Sequence, residues 1–280
     1  MPHIVVGIDG TNSINYVRNW VYLFCAEVKA DAVLYLDGPT QAMGVTGWDC
    51  TEIYEKAKKF IEFNVGRVQF QKRSDPRDSD LRITLVGHSR GGHTAIALAR
   101  DLKYPVYFLA LYDAVDKTLV LGDTTIVRNV KHTVHARRSP FMSSRDSWGN
   151  TGLRSSSGTY KSEFFATNHG GVGGDDGLLE ADSSSMNRTN SHRRTGIFDD
   201  GSCTNGFVAF LEYKKAIYDA NGDPLFLALS GKNGNTKINN STFPFHGENN
   251  IGALCGQQSE AAHKWICHHA KLNGIRFKTL

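Results

Sequence analysis

Cysteine is scarce in this sequence and is not spaced for a metal cage or a disulfide framework. The 280 residues include five cysteines, an odd number, and no two of them stand in a C-x-x-C spacing. Structural zinc sites use such pairs, and small disulfide scaffolds use an even number. We therefore interpret the cysteines as buried free thiols and predict neither a metal nor another cofactor. The alternative is a cation bound by the acidic pairs Asp175-Asp176 and Asp199-Asp200.

Long apolar runs are also lacking. No stretch approaches the ~20 apolar residues that a membrane-spanning helix requires, so we predict no transmembrane segment. Met1-Pro2-His3 leads directly into an apolar run and leaves no room for a signal peptide. We expect a protein made in the cytoplasm, with export without a cleaved signal as the alternative.

The charge excess is small. The formal net charge is +4, and the basic residues form only short pairs, Arg137-Arg138 and Arg193-Arg194. Proteins that bind nucleic acid through its phosphates carry a dense basic stripe. Nucleic acid is therefore not an expected partner.

Short apolar runs alternate with helical patterns, as in α/β proteins that have a parallel sheet. Six runs predict strands, over residues 4–8, 32–36, 83–86, 106–111, 129–134 and 163–167. Apolar residues at helical spacing predict helices over residues 14–28, 53–65, 92–102, 207–218 and 260–272. The pattern predicts an α/β fold with a mostly parallel central sheet and helices on both faces.

Two segments interrupt this alternation, over residues 139–159 and 175–202, and are rich in Ser, Gly, Asn, Asp and Arg. Long irregular segments in a compact domain are commonly functional loops. Their scattered apolar side chains either cover a hydrophobic cleft, as lids do, or fix the loops to the body of the protein. No repeat or linker divides the chain, so we predict one domain over residues 1–280.

Residues Gly87-His88-Ser89-Arg90-Gly91 match the pattern G-x-S-x-G. The pattern alone is weak, because roughly 0.2 matches are expected by chance in a chain of this composition. Here a predicted strand precedes Ser89 and a predicted helix follows it, as the nucleophile elbow of α/β-hydrolases requires. We predict an α/β-hydrolase-like fold with Ser89 as the nucleophile and long loops over the active site. The alternative is an incidental strand-to-helix turn.

A serine hydroxyl needs a base, and the base needs an acid that orients it. Asp113 ends the strand after the elbow helix and is the leading acid. His169 follows the sixth predicted strand, opens a glycine-rich loop and is the leading base. The order Ser89, Asp113, His169 is that of α/β-hydrolases. The alternatives left open are Asp116 for the acid and His135 and His246 for the base.

Two further groups of residues complete the predicted site. The oxyanion hole needs two backbone N–H groups, for which we predict the amide of Arg90 and that of Gly10 or Thr11. The predicted substrate-binding residues are His88, Arg137 and Arg138. The arginine fork suits a phosphate group, although a solvated surface pair is the alternative for the two arginines.

The motifs resemble, in order, those of α/β-hydrolases related to the type VI secretion lipase effectors, over roughly residues 4–220. The matching segments are Asp9-Gly10-Thr11-Asn12 (one residue shorter than in the family), the Tyr-containing and glycine-rich stretch 34–47, Ser89-Arg90-Gly91, Asp113-Ala114-Val115, His135 with Arg137 and Arg138, and His169 with Val172, Gly173 and Gly174. The joint match is far more specific than any single motif.

This resemblance implies esterase or phospholipase activity through Ser89, Asp113 and His169, on an ester or lipid substrate that can involve transient contact with a membrane surface. The chain departs from the family at Gly170-Gly171, where Ser-Asp is usual, and it lacks the acidic pair expected before the double arginine. Both departures bear more on the substrate than on the triad.

Two other function classes remain open. The segment 8–12 is similar to the Asp-x-Gly-Thr phosphate turn of actin-like sugar kinases, but it is one residue shorter and no second phosphate turn follows. A binding module that keeps the hydrolase fold without activity is the other alternative.

Overall fold

The computed structural model of the protein describes residues 2–11, 19–39, 48–72, 81–115, 126, 129–138, 151–156, 158–165, 167, 169–174 and 248–278. The chain forms two compact units. The first comprises Met1–Arg137, Ser147–Glu163 and Ala262–Leu280, and the second comprises Arg138–Asp146 and Phe164–Ala261. The single domain expected from the sequence stays a prediction.

The described residues form six strands and five helices. The strands are β1 (His3–Ile8), β2 (Ala32–Leu36), β3 (Arg82–His88), β4 (Val106–Tyr112), β5 (Val130–Arg138) and β6 (Thr159–Phe165). The helices are α1 (Trp20–Glu27), α2 (Trp48–Lys72), α3 (Ser89–Asp101), α4 (His169–Gly173) and α5 (Glu248–Leu272).

The strands form one sheet in the order β2-β1-β3-β4-β5-β6. The pairs β1–β2, β1–β3, β3–β4 and β4–β5 are parallel, so the carboxyl ends of these strands share one edge. The chain moves from β1 to β2 in one direction and then returns to β3 on the other side of β1. In doubly wound sheets, ligands bind at such a reversal, outside the carboxyl ends of the strands. We therefore expect a site at the carboxyl ends of β1 and β3.

Helices cover both faces of the sheet. Ile4, Val6 and Ile8 belong to a buried apolar cluster that also contains side chains of α2 and α3. The opposite face of β1 packs against α1, because a Cβ at Gly7 would overlap Cys25 Sγ. Because both faces of the sheet are buried, the inner strands are continuous apolar runs in the sequence, without the alternation of apolar and polar residues that a half-exposed strand shows.

The six strands and the α/β class predicted from the sequence are present, but several boundaries differ. β6 begins at Thr159, four residues before the predicted strand, because it is the last strand of the sheet and its first residues are polar and largely exposed. Helix α5 begins at Glu248 and α3 at Ser89, both earlier than predicted. The helix predicted over 207–218, the loop 175–202 and residues 139–150 of the other loop lie outside the described residues.

Helices α2 and α5 have 25 residues each, which is enough length to cross a bilayer. Their composition is too polar for that role, and α2 carries Lys56, Lys58, Lys59 and Glu62 within two turns. In the described part of the chain, no helix is both long enough and apolar enough to cross a membrane.

Gly7 and Gly66 give opposite predictions for the same substitution. Gly7→Ala is expected to lower the free energy of unfolding by about 1–3 kcal/mol, because the new methyl group would overlap Cys25 Sγ and Val21 Cγ1. Gly66→Ala is expected to raise it by about 1 kcal/mol, because a Cβ there meets no atom within 4 Å and alanine favours a helix. Urea denaturation of both variants measures the two changes. Equal destabilisation would contradict the packing of α1 on β1.

Candidate active site

Ser89 lies where β3 ends and α3 begins, and it is 3% exposed. Its φ is 56°, in the left-handed region that costs a residue with a side chain about 1–3 kcal/mol. The turn brings the two glycines of the motif together, since a Cβ at Gly87 would lie 2.6 Å from the carbonyl oxygen of Gly91. A strained serine between a buried strand and a helix is the backbone geometry that a nucleophile elbow requires.

The turn after β1 packs directly against this elbow. A Cβ at Gly10 would lie 2.6 Å from His88 Nδ1 and 3.0 Å from Ser89 Cβ, so only glycine allows the two segments to approach this closely. Arg90 Nη1 donates to Thr11 Oγ1 at 3.4 Å. The predicted oxyanion residues therefore lie beside Ser89, at the point where the strand order reverses.

The carboxylate of Asp9 organises this turn. It is fully buried and accepts hydrogen bonds from the Gly10 amide at 2.7 Å and from the Tyr35 hydroxyl at 2.8 Å. His88 Nδ1 lies 3.5 Å from Asp9 Oδ1. Burial, together with the Asp9 charge, raises the pKa of Tyr35, so the hydroxyl stays protonated and donates. The Gly10 amide, one of the predicted oxyanion donors, is thus engaged by Asp9.

Asp113 follows β4 and is 1% exposed. Its φ is 42°, so the candidate acid, like Ser89, has a left-handed backbone. Its amide donates to the carbonyl of Ala136 at 2.7 Å, and the amide of Val115 donates to the carbonyl of Ser89 at 3.1 Å. A main-chain hydrogen bond therefore joins the Asp113 turn, residues 113–115, to the elbow.

His135, an alternative base, is buried beside the same turn. The amide of Ala114 donates to its Nε2 at 3.1 Å, and its Nδ1 lies 3.2 Å from the carbonyl oxygen of Gly152. Because Nε2 accepts a hydrogen bond, Nδ1 carries the proton and donates to Gly152. Backbone groups therefore engage both ring nitrogens of His135.

His169 is the first residue of α4 and lies in the second unit, where it is buried. Arg138 Nη1 lies 3.5 Å from His169 Nδ1. The prediction of a glycine-rich loop after His169 is wrong, because residues 169–173 form a short helix. The Gly171 carbonyl accepts hydrogen bonds from the Ser259 hydroxyl and the Gly174 amide, which fixes this segment despite its glycines.

Arg137 and Arg138 are the last two residues of β5. Successive residues of a strand point to opposite faces, so the two guanidinium groups do not form one clamp. The charge of Arg137 acts on Tyr160, where it opposes the rise in pKa that burial causes, and Arg138 contacts His169.

The structure thus brings together most of the residues predicted for the site. The first unit holds Ser89, His88, Arg90, Gly10, Thr11 and Asp113, and the second holds His169 and Arg138. The meeting of His169 with Ser89 stays a prediction. The alternatives Asp116 and His246 and the acidic pairs 175–176 and 199–200 lie outside the described residues.

Comparison with known proteins gives remote structural matches alone. No family model and no curated protein matches the chain. Among solved structures, the chain is similar to an uncharacterized protein from Pseudomonas aeruginosa, with 14% sequence identity and a TM-score of 0.35. The match covers 62% of this chain and 41% of that chain, so this chain spans less than half the length of that protein. A similarity this low supports no statement about function.

Sequence reasoning missed the Asp9–Tyr35 pair. Asp9 belongs to one motif and Tyr35 to the Tyr-containing stretch 34–47, but no sequence pattern pairs the two residues. An acidic residue directly after a buried strand was the one usable signal, because a carboxylate there is buried and needs hydrogen-bond donors.

The pair predicts a loss of stability. Tyr35→Phe is expected to lower the free energy of unfolding by about 1–3 kcal/mol, because a buried carboxylate loses a donor. Tyr54→Phe is the matched control: its hydroxyl donates to Asp101, whose side chain is 37% exposed, so water replaces the lost bond. Thermal or urea unfolding measures both variants. An equal loss of unfolding free energy in Tyr35→Phe and Tyr54→Phe would contradict the role assigned to Asp9.

Proposed function

We propose that the protein is a serine hydrolase of the α/β-hydrolase class that cleaves carboxylic esters through an acyl-enzyme on Ser89. The observation that carries the proposal is the strained backbone of Ser89 between β3 and α3. Its position at the reversal of strand order, where sheets of this kind bind ligands, supports it. Asp113, whose turn is hydrogen-bonded to the elbow, also supports it.

In the proposed reaction, Ser89 Oγ attacks the ester carbonyl carbon while the base removes the hydroxyl proton. The tetrahedral intermediate then collapses, and the base returns this proton to the leaving alcohol as the C–O bond breaks. Water, activated by the same base, hydrolyses the acyl-enzyme and regenerates Ser89.

The oxyanion hole of this proposal consists of the backbone amides of Arg90 and Thr11. The Arg90 amide is in the first turn of α3, where the helix dipole favours negative charge. We favour Thr11 over Gly10 for the second donor, because the Gly10 amide donates to Asp9. Gly10 then contributes the space that its missing side chain leaves next to Ser89.

The proposed base is His169, oriented by Asp113. A base in this role turns Nδ1 toward the carboxylate and Nε2 toward the serine. The contact of Arg138 with Nδ1 therefore has to give way when the triad forms. We favour His169 over His135, because backbone groups engage both ring nitrogens of His135.

We also propose a substrate class, an ester with an acyl chain, such as a lipid or phospholipid. The family resemblance to type VI secretion lipase effectors supports this choice. The apolar side chains in segments 139–159 and 175–202 support it as well. Chain-length preference in a panel of p-nitrophenyl esters tests it, and equal rates for acetyl and long-chain esters would leave a general esterase.

Ser89→Ala is expected to abolish ester hydrolysis and covalent labelling by a fluorophosphonate probe. Removing the nucleophile of a triad typically lowers turnover on the order of 10⁶-fold. Ser156→Ala is the matched control, because its hydroxyl donates to the Ile126 carbonyl, away from the elbow. More than a tenth of wild-type activity in folded Ser89→Ala would contradict the proposal, and ATP binding without labelling would favour a phosphate-binding protein.

His169→Ala and Asp113→Ala are each expected to lower turnover by at least about 10³-fold, because they act with Ser89 as one unit. The measurement is turnover of a p-nitrophenyl ester by folded protein, with His246→Ala as the comparison. Full activity in folded His169→Ala would move the role of base to another histidine.

A further inference from the structure

The candidate acid sits in a backbone conformation that needs support. Ser89 and Asp113 are the non-glycine residues with positive φ in the described part of the chain. Such a conformation persists only when surrounding contacts enforce it. For Asp113, therefore, the contacts that hold the next residues of its turn determine where its carboxylate lies.

Among the described residues, three hydrogen bonds hold this part of the turn. The Ala114 carbonyl accepts from the Thr151 amide at 3.1 Å, and the Val115 amide donates to the Ser89 carbonyl at 3.1 Å. The Ala114 amide donates to Nε2 of His135 at 3.1 Å. The last of these is made by a side chain, and its partner, Ala114, directly follows the strained Asp113.

The ring of His135 is itself fixed. It lies on β5, is 1% exposed, and donates from Nδ1 to the Gly152 carbonyl. Gly152 follows Thr151, whose amide contacts the other side of Ala114. Ala114 is therefore held at both of its backbone groups: its amide donates to His135, and its carbonyl accepts from Thr151. This arrangement requires the neutral imidazole with its proton on Nδ1, since Nε2 has to accept.

We propose that His135 is a positioning residue that holds the Asp113 turn, as the Nδ1–H tautomer, so that the Asp113 carboxylate can orient the catalytic base. The inference rests on the proposed function for its effect on turnover. The tautomer does not depend on that function.

The first experiment measures the tautomer. In protein labelled with ¹⁵N-histidine, two-bond ¹H–¹⁵N spectra at neutral pH should show His135 with a protonated Nδ1 and an unprotonated Nε2, assigned by the signals that His135→Gln removes. An Nε2–H tautomer or an imidazolium would overturn the proposal. The tautomer is read from the wild-type protein, and the variant serves to assign its signals.

The second experiment compares His135→Leu with His135→Gln. Leucine removes both hydrogen bonds at similar volume, whereas the Oε1 atom of glutamine can accept from Ala114 in place of Nε2. Misplacement of a catalytic group by about 1 Å can cost about 100-fold, so we expect His135→Leu to lower kcat about tenfold to 100-fold with little change in KM. His135→Gln should recover most of this loss.

Rates are expressed per folded protein, measured by urea denaturation of the same samples, so that a loss of folded protein does not appear as a loss of kcat. His132→Gln is the control from the same strand, because His132 contacts Thr159 and should keep wild-type kcat. Unchanged kcat per site in folded His135→Leu would overturn the proposal.

A double-variant comparison tests whether His135 acts through Asp113. In an Asp113→Ala background, His135→Leu should cause no further loss of kcat, and an equal further loss would overturn the proposal. Absence of Ser89 labelling in the wild type would instead reject the proposed hydrolase. Normal labelling with the wrong His135 tautomer would reject this inference alone.

Discussion

The candidate site depends on one main-chain hydrogen bond, from the Val115 amide to the Ser89 carbonyl. It joins two turns, at the carboxyl ends of β3 and β4, and each turn begins with a residue in the left-handed backbone region. Either conformation alone is unfavourable by about 1–3 kcal/mol. Because each turn is held by the other and by buried neighbours, the two strained residues keep fixed positions at the edge of the sheet.

The neighbouring turn after β1 is also held by hydrogen bonds, but here a side chain accepts them. A buried carboxylate, Asp9, accepts bonds from the Gly10 amide and the Tyr35 hydroxyl, which fixes the backbone beside Ser89. A buried charge is costly unless hydrogen bonds satisfy it. The stability of the Asp9 carboxylate therefore depends on the donors of Tyr35 and Gly10. The fold thus places three hydrogen-bonded turns, after β1, β3 and β4, along a single edge.

A large part of the fold could be predicted because buried parallel strands leave apolar runs in the sequence. Of the inner strands, β1, β3 and β4 agree with the prediction to within two residues at each end, whereas β5 extends four residues beyond its predicted end. The edge strand β6 was misplaced, since a half-exposed strand has no apolar run to mark it. The segment after His169 was misread as a loop, because glycine content does not report the hydrogen bond from Ser259 to Gly171.

By itself, the sequence determined the α/β class, the order of the elements and the strand-to-helix context of Ser89, since these follow from local apolar patterns and turn residues. Only the tertiary structure decided which groups meet. It paired Asp9 with Tyr35 and turned both ring nitrogens of His135 toward the backbone. The physical reason is that such contacts join residues distant in the chain and depend on strand register and burial, which no local pattern encodes.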